Sequence, residues 1–233
     1  VLEVTPAALG AVAHSHIEAF VRQRAGEVSA STVRSDLVRV RQWLRWCVDQ
    51  GHLARDPSAR VRGPKGQSRT RDHRRVVTLA ELDRLDLPDG ARAMALALWA
   101  TGLRVGELLA VRPGDVRGDW VHVRSDGEHR TKAGQARDVP VSPEGRSALL
   151  VVAESGTMGP RGLRGILARR SAACGVEPAV HPHGLRHSRI SLWVADGHPL
   201  QTVARWAGHA SIRTTERYIH ICGHAPVATG THE

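Results

Sequence analysis

The sequence predicts a mainly α-helical protein with a small antiparallel β-sheet, an α+β chain built in two parts. Three observations predict this class. Apolar residues recur at steps of three and four over much of the chain, which is helical spacing. Three short stretches bounded by glycine-containing turn dipeptides stand together near the middle and read as strands. A basic segment broken by proline and glycine separates a small amino-terminal part from a larger one. At 233 residues the chain has room for one domain or two modest ones, each able to bury a core.

Thr5 before Pro6 has the form of a helix cap with proline at the first helical position, and predicts a helix running to about Arg24. Ser29 to Thr32 offers caps for a stronger helix. In it Val33, Leu37, Val40, Leu44 and Cys47 form one apolar stripe, Arg34, Arg41 and Arg45 lie off the stripe, and Gly51 is the stop. From Arg55 to Arg75 eight basic residues stand against two acidic ones, and Pro57, Gly63, Pro64 and Gly66 interrupt any periodicity, so the segment reads as a linker. Thr78-x-x-Glu81 is a capping box that opens the larger part. Helices are expected over 78–86, 89–100 and 104–111, with Pro113-Gly114-Asp115 ending the run. Strands are expected over 121–124, 128–132 and 136–141, turning at Asp126-Gly127 and Ala133-Gly134. Ser142-Pro143 caps a helix to about Ala153, and further helices are expected over 161–173, 184–196, 199–207 and 211–220.

Apolar residues make up 41% of the chain and charged residues 24%, which excludes a disordered tail. The longest lipid-like stretch, Ala93 to Ala100, is far short of the ~20 residues a membrane span needs, and no secretory signal opens the sequence. Thirty-three Lys and Arg against 23 Asp and Glu leave a net charge of +10, which favours a polyanionic partner. Only Lys65 and Lys132 among these bases are lysine. Arginine clamps phosphate oxygens with a planar fork and does not readily give up a proton, so the two lysines are chemically distinct. Three widely spaced cysteines fit a reducing compartment. The 14 histidines form no recognised metal-ligand pattern, so no metal and no cofactor is expected.

Four places concentrate residues suited to handling an anion. Arg104 follows the glycine break in Thr101-Gly102-Leu103-Arg104, where a helix start aims backbone N–H groups outward; Glu107, one turn on, orients a guanidinium or faces water. Lys132 stands at the turn Lys132-Ala133-Gly134-Gln135, and is the base in this set able to give and recover a proton. His183 and Arg186, three apart, share a face of a helix, an arrangement that suits an oxyanion or else a cap with a surface arginine. Tyr218 is the only tyrosine of the chain, and His209 lies nine residues before it.

The blocks "TGLRVGELLAVRPGDV", "TKAGQARDVPV", "HPHGLRHS" and "WAGHASIRTTERYIH", in that order and at these separations, resemble the tyrosine recombinases, the phage integrase family. The resemblance implies a catalytic domain over 78–220, preceded by a partial helical core-DNA-binding domain over 1–62 and a basic linker over 63–77, with a tail over 221–233. It implies Arg104, Lys132, His183, Arg186 and His209 as catalytic residues and Tyr218 as the nucleophile. It further implies strand cleavage and rejoining at specific sites, for integration, excision or resolution of a mobile element. The partner would be double-stranded DNA, touched by Arg34, Arg41, Arg45, Arg60, Arg62, Lys65, Arg69 and Arg71. A homo-tetramer on paired sites, accessory DNA-bending proteins and a place in the cytoplasm at the nucleoid follow from the same resemblance.

The physics of the reaction agrees with that set. Attack on a phosphodiester passes through a pentavalent state with extra negative charge, which Arg104 and Arg186, helped by His209, would stabilise more than the ground state. Tyr218 would attack phosphorus, His183 would take its proton, and Lys132 would protonate the departing 5′ oxygen. Against the family pattern, the small domain is expected to be short, as if truncated before the segment Val4 to Ala19. The tail, with Gly223, Pro226 and Gly230, is poor helix material. Two other readings share parts of this pattern: DNA relaxation by the same tyrosine chemistry, and a noncatalytic DNA-binding remnant of a mobile element.

Overall fold

A computed structural model describes residues 9–65, 75–125, 135–155 and 158–219. The chain divides into two compact units, 1–70 and 71–233. The larger is predominantly helical with one three-stranded antiparallel sheet, as the sequence predicts.

The first unit holds α1 (His14–Glu27) and α2 (Ala30–Asp49). The expected Thr5-Pro6 cap lies outside the described residues; residues 9 and 10 are helical, and α1 begins after a break at 11–13, where Ala13 is extended and its N–H is taken by Nδ1 of His16 at 3.0 Å. A histidine three residues into a helix thus accepts the bond that Glu or Gln makes in an ordinary capping box. The caps for α2 are as expected: Oγ of Ser29 accepts the Thr32 N–H at 3.3 Å. Its apolar stripe is buried, with Val33, Leu37, Leu44 and Cys47 packed among Ile17, Val21, Leu53 and Val61. The segment expected to begin the linker is not free up to Lys65. Val61 is in this core, and Arg34 and Arg41 donate to the carbonyl oxygens of Pro64 and Val61.

The second unit opens on α3 (Leu79–Arg84), whose capping box is real in both directions: Oγ1 of Thr78 accepts the Glu81 N–H at 3.2 Å and Glu81 accepts the Thr78 N–H at 3.1 Å. Next come α4 (Asp89–Thr101), α5 (Val105–Leu108), a single 3₁₀ turn at Pro113–Asp115, and the strands β1 (Val116–Arg117), β2 (Trp120–Val123) and β3 (Arg137–Pro140). The helices α6 (Pro143–Ser155), α7 (Pro160–Ala173), α8 (Pro182–Ala195), α9 (Leu200–Ala207) and α10 (Arg213–Glu216) complete it. The Ala-rich α4 sits at the centre, with Ala91, Met94, Ala95, Ala97, Leu98 and Ala100 all buried and α6 and α8 packed on it. Small residues let those neighbours come close, and Leu103, Leu108, Leu149, Leu163, Leu167, Leu185 and Ile190 fill the rest without exposure. Each such leucine contributes about 1.5–3 kcal/mol over an exposed one.

The sheet runs in the order β1-β2-β3, with Val121 opposite Val139 and Val123 opposite Arg137. It differs from expectation in one added strand. A two-residue strand, Val116–Arg117, pairs with β2, and the strand expected over 128–132 lies outside the described residues. The helix expected over 211–220 is interrupted among the described residues, with residue 219 helical again beyond α10. The helix α10 ends at Glu216 in an i→i+3 turn, the Tyr218 N–H donating to the Thr215 carbonyl at 2.9 Å. No helix of the described residues is long and apolar enough to cross a membrane.

Candidate active site

The site gathers where α9 ends. The helix closes on Gly208 in the left-handed conformation (φ 62°), and the His209 N–H returns to the Ala204 carbonyl at 3.0 Å. A helix leaves its last carbonyls without intrahelical donors and carries partial negative charge there. Here three successive carbonyls each receive a different guanidinium. Nε of Arg137 donates to Trp206 O at 2.8 Å, Arg186 Nη2 donates to Ala207 O, and Arg104 Nη2 donates to Gly208 O at 2.9 Å. Three distant stretches, the turn after α4, strand β3 and helix α8, are thereby drawn to one point.

Each arginine is delivered by a local device. Oγ1 of Thr101 donates to Ala97 O at 2.6 Å, Gly102 turns left-handed (φ 63°), and Leu103 is buried, which leaves Arg104 as the N-cap of α5. Of the backbone N–H groups expected at that helix start, that of Arg104 is already taken. Glu107 takes the Arg104 N–H at 2.8 Å and the Arg104 Nη1 at 2.8 Å. Arg186 lies on the inner face of α8 at 3% exposure, its Nη1 donating to Gly102 O at 2.6 Å. His181 caps α8 by accepting the Gly184 N–H on Nδ1 at 3.0 Å. The glycine lets the ring fold over it, since a Cβ there would lie 3.3 Å from His181 Nε2. His183, two residues into the site from that cap, sits exposed at its rim.

Tyr218 packs under this cluster, 8% exposed. Its ring centroid is 4.7 Å from that of His187 and 6.3 Å from that of His209, nearly parallel to the latter. His209 is fixed in turn by a 2.8 Å hydrogen bond between Nδ1 and Thr215 Oγ1. Thus Arg104, His183, Arg186, His209 and Tyr218, expected from the sequence to act together, are brought together. Lys132, Arg69 and Arg71 lie outside the described residues. Of the other expected DNA contacts, Arg45, Arg60, Arg62 and Lys65 are exposed on the first unit, while Arg34 and Arg41 also hold its own chain. Among the described residues no three His, Cys, Asp or Glu side chains gather in a way that would hold a metal ion.

The concentration of positive charge sets the protonation states. Burial, and then the like charge of Arg104, push Arg186 down to about 10. Burial and the charges of Arg186, Arg104 and Arg137 push His209 down to about 4, and His183 is shifted in the same direction by burial, Arg186 and Arg104. Burial pushes the Tyr218 phenol up, with Arg186 and Arg217 pulling the other way. Both histidines are therefore neutral near pH 7, able to accept a proton or to donate one N–H. Because His209 titrates at about 4 when folded and near 6.5 when unfolded, the unfolded chain binds more protons between those values. Stability is expected to fall as pH drops from about 6.5 to about 4, and the fall should be shallower in His209→Gln. Denaturant midpoints across that range check this; parallel curves for the two proteins would contradict it.

Glu107 orients guanidinia, the first of the two alternatives its position left open, and one further participant, Arg137, had no role from the sequence. Glu107 is buried and paired with two guanidinia, and Arg137 is buried in a strand. Although burial raises the Glu107 carboxyl, hydrogen bonding and charge from Arg137, with Arg104, hold it below its ordinary value. The signal for Arg137 was present: strand alternation puts Arg137 on the same face as Val139 and Val141, and an arginine on a core face needs a partner.

Residues 74–223 match the family model described as the phage integrase family. The chain is 30% identical over 251 residues to a tyrosine recombinase XerC of Mycobacterium sp. (strain KMS), covering 94% of this chain and 82% of the relative. It is 32% identical over 232 residues to a tyrosine recombinase XerC of Mycobacterium bovis (strain BCG / Pasteur 1173P2), covering 84% and 76%. Among solved structures, the fold is similar to a lambda integrase dimer bound to a core site, with TM-score 0.73 and 15% identity over 100% of this chain and 86% of that one. It is also similar to the XerH site-specific recombinase on a palindromic substrate, with TM-score 0.66 and 16% identity over 90% and 69%.

Proposed function

The chain belongs to the phage integrase family, the tyrosine recombinases, and on that premise we propose that it recombines DNA at specific sites through a 3′-phosphotyrosyl link formed on Tyr218. The observation that supports this reading best is the gathering of Arg104, Arg186 and His209 around the end of α9, beside the only tyrosine in the chain.

Arg104 and Arg186 each keep N–H donors beyond those bound to carbonyls and Glu107, and these clamp the nonbridging oxygens of one phosphate. Charge grows on those oxygens as the fifth bond forms, so the clamp binds the transition state more tightly than the substrate. Neutral His209 adds a further donor. The Tyr218 oxygen attacks phosphorus, His183 receives the phenolic proton, and the bond to the 5′ oxygen breaks with its electron pair. Lys132 protonates that oxygen, leaving a 5′ hydroxyl. The diester bond energy is retained in the phosphotyrosine, so a 5′ hydroxyl from a second duplex reverses the step without ATP. Two duplexes with two cleavage points each call for four tyrosines, hence a homo-tetramer on paired sites. Arg45, Arg60, Arg62, Lys65 and Arg69 of the smaller unit, together with Arg71, contact the DNA backbone.

Incubation with nicked duplexes and supercoiled DNA, followed by denaturing electrophoresis, tests the proposal through a covalent protein–DNA band. Binding without any covalent species, on substrates carrying cognate sites, would overturn it. Lys132→Ala should slow cleavage ~100-fold on an ordinary duplex and much less on one with sulfur as the 5′ leaving atom, because a thiolate departs without a proton. Equal losses on both substrates would remove Lys132 from the acid role.

A further inference from the structure

Arg137 is the most deeply engaged arginine of the site that no catalytic role accounts for. Its side chain is 5% exposed and lies on β3, the strand that follows the 126–134 segment. Nη1 and Nη2 donate to the two oxygens of Glu107 at 3.1 and 2.8 Å, and Nε donates to Trp206 O at 2.8 Å. All three nitrogens are thus turned toward protein. The guanidinium lies flat against Gly208, where a Cβ would come within 2.8 Å of its Cζ. It therefore touches the backbone immediately before His209 and the carboxylate that binds Arg104.

We propose that Arg137 is a positioning residue: by neutralising Glu107 and pinning the end of α9, it keeps Arg104 available to the phosphate and His209 in place. The inference rests on the proposed phosphoryl-transfer reading and concerns how its charge is arranged. Glu107 faces two guanidinia, one of which must serve the substrate. Were Arg104 its only partner, the carboxylate would cancel the charge of Arg104 in a poorly solvated place, where such pairing is strong. With Arg137 present, three guanidinium charges oppose one carboxylate, leaving a surplus of two. That surplus matches a phosphodiester gaining a second negative charge in its transition state. Geometry calls for arginine in particular. A lysine ammonium is a point donor and cannot hold both carboxylate oxygens and a carbonyl on the far side.

The test compares wild type, Arg137→Lys, Arg137→Met and the double variant Arg137→Met/Glu107→Gln, each checked by circular dichroism and thermal melting. With cleavage of a nicked duplex as readout, Arg137→Lys is expected to lose ~10–100-fold in single-turnover rate while duplex affinity stays within about threefold. Arg137→Met should lose more, and removing the Glu107 charge in the double variant should restore at least about tenfold. A readout independent of cleavage is the NMR titration of His209. Removing the neighbouring positive charge should move its midpoint upward by at least about half a pH unit in Arg137→Met, and less in Arg137→Lys. Folded variants that cleave at the wild-type rate, or a His209 midpoint that does not move, would overturn the proposal. If Arg137→Met does not fold, the lysine variant and the double variant decide the matter on the same readouts. A wild-type protein that forms no adduct would instead count against the reading of function, and the histidine titration would still judge Arg137.

Discussion

Replacing Tyr218 with Phe is expected to abolish the covalent protein–DNA adduct completely while leaving duplex affinity within about threefold of wild type. The change removes one oxygen from a ring that is 8% exposed, and the contacts at 4.7 Å to His187 and 6.3 Å to His209 involve the ring rather than that oxygen. Packing is therefore retained. No second tyrosine exists in the chain to substitute for it. Denaturing electrophoresis on a nicked duplex gives the adduct, and gel retardation on the same duplex gives the affinity. An adduct that survives in Tyr218→Phe would place the nucleophile elsewhere. Burial also pushes the Tyr218 phenol up, so an attacking tyrosine would need help in losing its proton.

The second large effect is expected from Arg186→Lys, a loss of about 10²–10³-fold in cleavage rate. Arg186 joins the turn after α4 to the end of α9 by donating to Gly102 O and Ala207 O. It does so at 3% exposure. Lysine keeps the charge and loses the fork, so one buried carbonyl goes without its donor, costing about 1–3 kcal/mol. Single-turnover rates, taken well below the melting temperature of the variant, separate the two effects. A lysine variant that melts earlier yet cleaves at full rate would make Arg186 a structural brace alone.

Local signals carried most of what the sequence disclosed. The Thr78/Glu81 box, the Ser29 cap and the apolar stripe of α2 are read from neighbours within a few residues, and they appear where expected. Arg104 and the His183–Arg186 pair could likewise be placed on their elements by a glycine break and a three-residue spacing. What escaped depended on distant partners. The break before α1 follows from a histidine acting as the cap acceptor, which no capping pattern anticipates. Whether Glu107 faced water or a guanidinium was decided by Arg137, thirty residues on. Likewise, the first part of the basic segment is held to the small unit because Arg34 and Arg41 find main-chain carbonyls there, while its composition alone reads as a tether.

The carbonyl of Gly208 receives Arg104 across a separation of 104 residues, and that of Ala207 receives Arg186 from 21 residues earlier. Donors so placed acquire their final aim only once α9 has docked, whatever the rest of the unit has done. A chain cut short before α9 holds Arg104, Arg137 and Arg186 yet lacks the carbonyls on which they are set. Such a truncated chain, lacking both these carbonyls and Tyr218, is expected to form no covalent adduct with DNA.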